Sequence, residues 1–272
     1  MHKRIIRPAE QDRLPRLLVY SRVKKGKTLF AHSAGQGNVL IMDPEFGTDW
    51  MKSSKLNPHV WPIDEWEDTE ELLNYLRSDR HGYQWFSPDA MTKLYDLALK
   101  FITRIDPYAD LTKRQAAITL PQRGKANELL MTFINRLHRL PIGVIYTAQE
   151  RIVSNTTEID GEKALAEGIE SDLTENEEAP EETTLRYIPD LSDQVRRYLT
   201  SQVDVIGRLY VVKAKEEDKN TGEIVLRNQR RLWVAPHDAY DTGYRSCYTL
   251  PNYIAKPTVP KLVRILERGK LT

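Results

Sequence analysis

The stretch LLVYSRVKKGKTLFAHSAGQGNVLIMDPEFG, residues 17–47, constrains the fold more than any other part of the chain. RLLVY (16–20) and VLIMD (39–43) are short, nearly continuous apolar runs, as in strands buried on both faces of a parallel sheet. Residues 27–34 between them predict a helix, so the stretch reads as a strand, a crossover helix and a second strand. The turn that opens the helix, Ser21-Arg22-Val23-Lys24-Lys25-Gly26-Lys27-Thr28, follows G-x-x-x-x-G-K-[ST] with serine in place of the first glycine. Set between a strand and a helix N-terminus, such a loop turns backbone N–H groups toward an anion.

This pattern makes Ser21 to Leu29 the expected nucleotide-binding residues (Ser21, Arg22, Val23, Lys24, Lys25, Gly26, Lys27, Thr28 and Leu29), with ATP and Mg²⁺ as cofactors. Lys27 would reach the β and γ phosphates, the Thr28 hydroxyl would coordinate Mg²⁺, and Gly26 would allow close approach of the backbone. Two acids could complete the chemistry. Asp89 follows the apolar run YQWF (83–86) and either joins Thr28 at the metal or caps a helix starting at 91. Glu45, just past the strand that ends at Asp43, either holds the attacking water or belongs to a polar turn.

The alternation continues along the chain. Helices are expected at 68–78 with Asp68 as N-cap, at 91–105 and at 124–140, and buried strands at 83–86 and 142–147. Residues 203–236 read as a hairpin turning at Asn220, Thr221 and Gly222. The whole predicts a mostly parallel α/β sheet with helices on both faces. Trp61, Trp66 and Trp85 are expected in the core or at its edge, and the single cysteine, Cys247, as a packed residue. The histidines show no metal-ligand spacing. One cysteine excludes a disulfide framework, and with no apolar leader or membrane span in view a cytoplasmic setting is expected.

The net charge of +1 conceals an asymmetry. Residues 156–182 hold eleven acids and one lysine, a charge of −10, which leaves +11 on the remainder. A basic body with one acidic insert, at about 154–189, suits contact with a polyanion and a loop that stays apart from it or competes for the same surface.

Three segments together carry a resemblance to a known family: the loop at 21–28, the acids Asp43, Glu45 and Asp49 in the spacing Asp-x-Glu-x-x-x-Asp, and IYTAQERI at 145–152. They resemble the RecA-like recombinase superfamily, most closely the phage-encoded single-strand annealing ATPases that comprise little more than its core. The resemblance spans about residues 14–260 of what reads as one domain, 1–272, and RGKANELLMTFINRLHRLPIGVIYTAQE (123–150) is its most specific part. It implies a RecA-like P-loop NTPase core, with a mostly parallel sheet flanked by helices and a C-terminal β-hairpin region. It also implies that Glu45 is the catalytic base, Lys27 a catalytic cation and Gln149 the γ-phosphate sensor, with Thr147 beside it and Asp49 near the adenine. Three departures stand out: Ser21 in the P-loop, Pro88 before Asp89, and VAPHDAYDTGYR (234–245), which lacks the lysine-rich turn often placed across a subunit interface.

The family also places DNA. RIDPYADLTKRQAAITLPQRGK (104–125) occupies the position of one DNA-binding loop, so Lys113, Arg114, Arg123 and Lys125 are expected to contact single-stranded DNA. A second loop would begin at Arg151. The expected function is that of an ATP-dependent, single-stranded-DNA-binding recombinase or annealing protein. It would act as a homo-oligomer in the host cytoplasm, away from membranes, with a single-strand-binding protein as a further partner. Two alternatives stay open: a P-loop kinase of small molecules, with Arg123 or Arg151 as lid arginines, and a weakly catalytic nucleotide-binding scaffold.

Overall fold

The structure is a computed structural model that describes residues 13–53, 56–78, 81–104, 118–155, 184–217 and 224–269. Its strands are β1 (Arg16–Ser21), β2 (Val39–Asp43), β3 (His59–Pro62), β4 (Trp85–Pro88), β5 (Gly143–Asn155), β6 (Thr184–Pro189), β7 (Val205–Glu217), β8 (Ile224–Trp233), β9 (Gly243–Tyr244) and β10 (Tyr253–Ala255). Its helices are α1 (Lys27–His32), α2 (Asp68–Arg77), α3 (Met91–Thr103), α4 (Leu120–Leu137), α5 (Asp193–Gln202) and α6 (Val259–Arg268). Along the sheet the order is β10-β8-β7-β1-β5-β4-β2-β3, with β6 on β5 and β9 on β7. From β7 to β3 every pairing is parallel, and the strands added at the β7 end are antiparallel. The C-terminal hairpin is therefore the extension of one edge, while its expected turn at 220–222 lies outside the described residues.

Alternation along the central strands divides the core between the two faces. Leu18 and Tyr20 point toward α2, α3, α4 and α5, and Leu17 and Val19 toward α1 and α6. Each fully buried Leu or Ile contributes about 1.5–3 kcal/mol, so strands buried on both sides account for the unbroken apolar runs. Where β5 passes β4, Gly143 lies against the buried Trp85 ring, and a Cβ there would come within 2.4 Å of it. Among the described residues, no helix is long and apolar enough to cross a membrane.

Several elements differ from expectation. β3 is an edge strand of His59-Val60-Trp61-Pro62, too short and too exposed to show an apolar run. β4 begins at Trp85 and includes Pro88. Its ladder to β5 stops at Phe86, and the Ser87 hydroxyl continues the link by donating to the Ile145 carbonyl at 2.8 Å. α4 starts earlier than residue 124, at Leu120, through a capping box between Thr119 and Gln122 with proline in its first turn. Asp68 is the first residue of α2, not its cap, and its carboxylate accepts from the Asp64 and Glu65 amides at 2.9 Å. Residues 154–155 and 184–189, assigned to the acidic loop, pair as strands β5 and β6. Cys247, expected to be packed, is exposed.

One buried contact links this architecture to pH. His138 ends α4, accepts Arg16 Nη2 on its carbonyl at 2.8 Å, and meets the Tyr146 hydroxyl through Nε2 at 2.8 Å. Burial, aided by Arg16 and Arg13, pushes its imidazole down to about 4 from 6.5. Between these two values the unfolded chain binds the extra proton, so stability from this group is full above pH 6.5 and is lost as pH falls toward 4. Urea midpoints measured across that window should decline with acid, and His138→Gln should flatten the decline by close to one proton's worth. An unchanged slope would show that the imidazole titrates freely in the folded state.

Candidate functional site

The C-terminal ends of the parallel strands converge on one cavity of about 500 Å³. Val23, Lys24, Gly26, Lys27, Thr28, Leu29, Asp43, Glu45, Gly47, Trp50, Asp89, Ala90, Gln149 and Arg230 line it. Ligands in open α/β sheets bind at this end of the strands. The loop from β1 to α1 turns through left-handed conformations at Lys24 (φ 60°) and Gly26 (φ 100°), and Gly26 closes the first turn of α1 by accepting from the Phe30 amide at 2.9 Å. Gly26 is also the N-cap residue, so no side chain occupies the first amides of α1. Ser21, in place of the first glycine, is fully buried, and its carbonyl and hydroxyl lie 3.3 and 3.4 Å from Lys27 Nζ. Burial lowers the Lys27 pKa, while Asp89, Glu45 and Glu150 pull it back up.

Asp89 sits on the cavity floor between two hydroxyls. Thr28 Oγ1 donates to its Oδ2 at 2.5 Å, and Thr147 Oγ1 donates to its Oδ1. The helix that follows is capped from Ala90 with no side-chain bond, so the expectation of Asp89 as a helix cap does not hold. Burial raises the Asp89 pKa, against the two hydroxyl bonds and Lys27. A hydroxyl and a carboxylate oxygen this close are the hard donors that Mg²⁺ takes, and a loop of open amides beside a lysine suits phosphates. The residues present thus fit ATP with Mg²⁺.

Neighbouring acids do different work. Asp43 is buried and accepts from the amides of Glu45 and Gly47 at 3.1 Å and of Thr48 at 2.8 Å, which folds the loop after β2 and presents Glu45 to the cavity. Burial, then Asp89, raises the Glu45 pKa, with Lys93 and Lys27 opposing. β2 does not lie beside the P-loop strand, since β5 and β4 intervene. Glu45 still reaches the cavity because the loop curls back over the strand ends. Asp49 does not: it lines an adjoining space of about 410 Å³ with Phe46, Thr48, Asn57, Pro58, Val60 and Pro62.

On β5, Gln149 lines the cavity and Glu150 takes part in an ion-pair cluster behind it. Glu150 pairs with Arg208 Nε at 2.6 Å and with Arg22 Nε at 3.3 Å, so Arg22 of the loop is tied through Glu150 to β5 and β7. The Arg208 guanidinium also lies over the Tyr187 and Tyr240 rings, 4.1 and 4.4 Å from their centroids.

The expected DNA contacts are spread out. Lys113 and Arg114 lie outside the described residues. Arg123 and Lys125 are exposed on the first turns of α4, where a loop was expected. Arg151 belongs to strand β5, paired with Ile188 of β6 and bridged to Asp193 at 3.4 Å, and so does not open a loop. Among the described residues no group of His, Cys, Asp and Glu forms a separate metal site.

The AAA domain family matches residues 13–246. The chain belongs to the AAA domain family. Its P-loop strand β1 lies between β5 and β7, with β5 separating it from β4, and the loop sits at the C-terminal ends of a mostly parallel sheet flanked by helices. Among solved structures the chain is similar to a KaiC-like protein from the hyperthermophilic archaeon Pyrococcus horikoshii, at 12% identity, with 89% of each chain covered and a TM-score of 0.40. No match was found among curated proteins. Besides Gly47 and Ala90, two large side chains on the cavity of this AAA domain escaped the sequence reading: Trp50, on the short 3₁₀ helix Asp49–Ser53, and Arg230, on β8. An aromatic after the last acid was a usable signal for Trp50; nothing in sequence ties Arg230 to a loop so far away.

The raised Asp89 pKa has a consequence for stability. Its charged form is disfavoured in the fold, so this group's contribution is greatest below its ordinary value of 3.8 and falls as pH rises through the folded value. Asp89→Asn keeps the shape and an oxygen for the hydroxyls, and should raise the melting temperature of the nucleotide-free protein at pH 7. The gap should close on acidification; equal melting at both pH values would mean that the carboxylate is well solvated.

Proposed function

We propose that this AAA domain is an ATPase of the phage recombination type, which binds single-stranded DNA as an oligomer and promotes annealing or strand pairing. The observation that carries the ATPase part is the meeting of Lys27, Thr28, Glu45, Asp89 and Gln149 on one cavity. Lys27 and the loop amides hold the phosphates, and Thr28 with Asp89 holds Mg²⁺, which when bound neutralises phosphate charge. Glu45 takes the proton of the attacking water; its raised pKa moves it toward the operating pH, where a general base works best. Gln149 senses the terminal phosphate, and β5 runs on from it through Asn155 with Arg151 along the way.

Support for the DNA part is of two kinds: the +11 charge outside residues 156–182, and the exposed Arg123 and Lys125 at the start of α4. Phosphate contacts of this sort give affinity with little sequence preference. A further subunit or a single-strand-binding protein would act on the same surface.

Glu45→Gln tests the whole reading. ATP affinity should stay close to wild type, hydrolysis should fall by roughly 10²- to 10⁴-fold, and the ATP-bound variant should persist on single-stranded DNA. Full turnover would remove Glu45 from the base role, and wild-type hydrolysis indifferent to single-stranded DNA would remove the DNA role. In a separate binding series, Arg123→Ala with Lys125→Ala should flatten the salt dependence by about 0.7 per lost contact. A slope equal to that of wild type would move the DNA path off α4.

A further inference from the structure

Arg230 belongs to β8, far from the P-loop in sequence, yet its side chain lies across that loop. Its Nε donates to the Lys25 carbonyl at 3.2 Å, and the side chain lines the same cavity as Lys27, Glu45 and Asp89. The contact is close. A Cβ on Gly26 would stand 2.6 Å from Arg230 Nε and 3.2 Å from its Cδ and Cζ. Gly26 therefore answers two demands at once, a φ of 100° and a bare surface under the guanidinium. The Arg230 backbone is fixed: it pairs with Val211 on β7, and its carbonyl accepts from the Lys256 amide at 2.9 Å.

Lys24, Lys27 and Arg230 are the cations lining this cavity, and Arg230 alone among them brings a planar fork. Arg22 is paired with Glu150, and Lys27 is turned onto Ser21. Arg230 makes its one side-chain bond to a neutral carbonyl, and among the described residues no acid pairs with it and neither Nη group has a protein partner. A guanidinium held by Nε at a phosphate-cradling loop, with its terminal fork uncommitted, has the geometry to grip phosphate oxygens bidentately.

We infer that Arg230 is a catalytic arginine of the nucleotide site, supplied by the chain that carries the P-loop rather than by a neighbouring copy. This rests on the reading of the cavity as an ATP site. In hydrolysis the water oxygen bonds to the terminal phosphorus as its proton passes to Glu45. The bond from that phosphorus to the bridging oxygen breaks, and ADP leaves with the electron pair. The Arg230 fork neutralises the charge that builds on the phosphate oxygens. It also closes the loop side of the cavity, where Lys25 and Gly26 would otherwise face solvent.

The test compares wild type with Arg230→Ala, Arg230→Lys, Arg230→Gln and Lys27→Ala in the full chain, reading ATP and ADP affinity, single-turnover hydrolysis with Mg²⁺, and melting temperature. Arg230→Ala should slow hydrolysis by about 10³-fold or more. It should weaken ATP more than ADP and melt like wild type, since the side chain is exposed. Arg230→Lys should recover little, because it keeps the charge without the fork. Arg230→Gln, which retains a donor for the Lys25 carbonyl, should remain slow; recovery there would mean that the arginine only props the loop. Mixing Arg230→Ala with Lys27→Ala decides which chain supplies the group. No recovery is expected, because one partner lacks the arginine beside its intact loop and the other lacks the loop lysine. Recovered turnover would overturn the inference in favour of action across a subunit boundary, and unimpaired hydrolysis by Arg230→Ala alone would overturn it outright. If Lys27→Ala binds ATP like wild type, it is the nucleotide-site reading that fails.

Discussion

The Asp89 carboxylate is the joint on which the candidate site is assembled. β5 lies between the P-loop strand and β4, so no backbone ladder joins β1 to β4. The link is made by side chains: Thr28 from α1 and Thr147 from β5 each donate to one Asp89 oxygen. A hydrogen bond to a charged group contributes about 1.5–3 kcal/mol, whereas burying a carboxylate costs several, so the joint is kept against a stability cost. The apolar layers on both faces of the sheet offset it. Tyr20, Ile41 and Tyr146, all fully buried, flank the strand ends that converge there.

From that joint, the period of two along β5 distributes the chemistry. Thr147 and Gln149 face the cavity side, while Glu150, one residue on, turns to Arg22 and Arg208. One strand therefore touches the expected terminal-phosphate position and, through Glu150, Arg22 of the P-loop. The same strand then leaves the parallel sheet and pairs with β6 through residues 150–155. Gln149 and Glu150 share one peptide plane, so the cavity residue and the ion-pair residue are neighbours on the strand that continues into the β5–β6 ribbon.

Much of this was legible in sequence because burial on both faces leaves an unmistakable trace. RLLVY, VLIMD and IGVIYT lie in β1, β2 and β5, three of the strands that bear the site, and the loop after RLLVY lies where the motif requires. Elements without such a trace were lost. β3, with both end residues exposed, carries no apolar run, and α5 and β6 sit beside a stretch whose charge dominated the reading. Pro88 reads as a strand breaker, yet it ends β4 beside its partner strand β2. Asp49 follows Glu45 at the expected interval; Asp43 gathers the amides of residues 45, 47 and 48, and Asp49 faces the adjoining cavity.

Two of the three departures from the resembled pattern, Ser21 and Pro88, are answered locally by hydroxyl groups. Glycine at position 21 would leave Lys27 with the carbonyl alone; the buried serine adds an oxygen 3.4 Å from Nζ without displacing the strand, whose pairing with β5 continues through Ser21 and Gln149. Pro88 withholds an amide at the point where β4 parts from β5, and Ser87 supplies its hydroxyl to Ile145 instead. Both hydroxyls are anchored in fully buried positions where their rotamers are fixed by packing. Because the replacement groups are neutral, neither alters the charge balance among Lys27, Glu45 and Asp89.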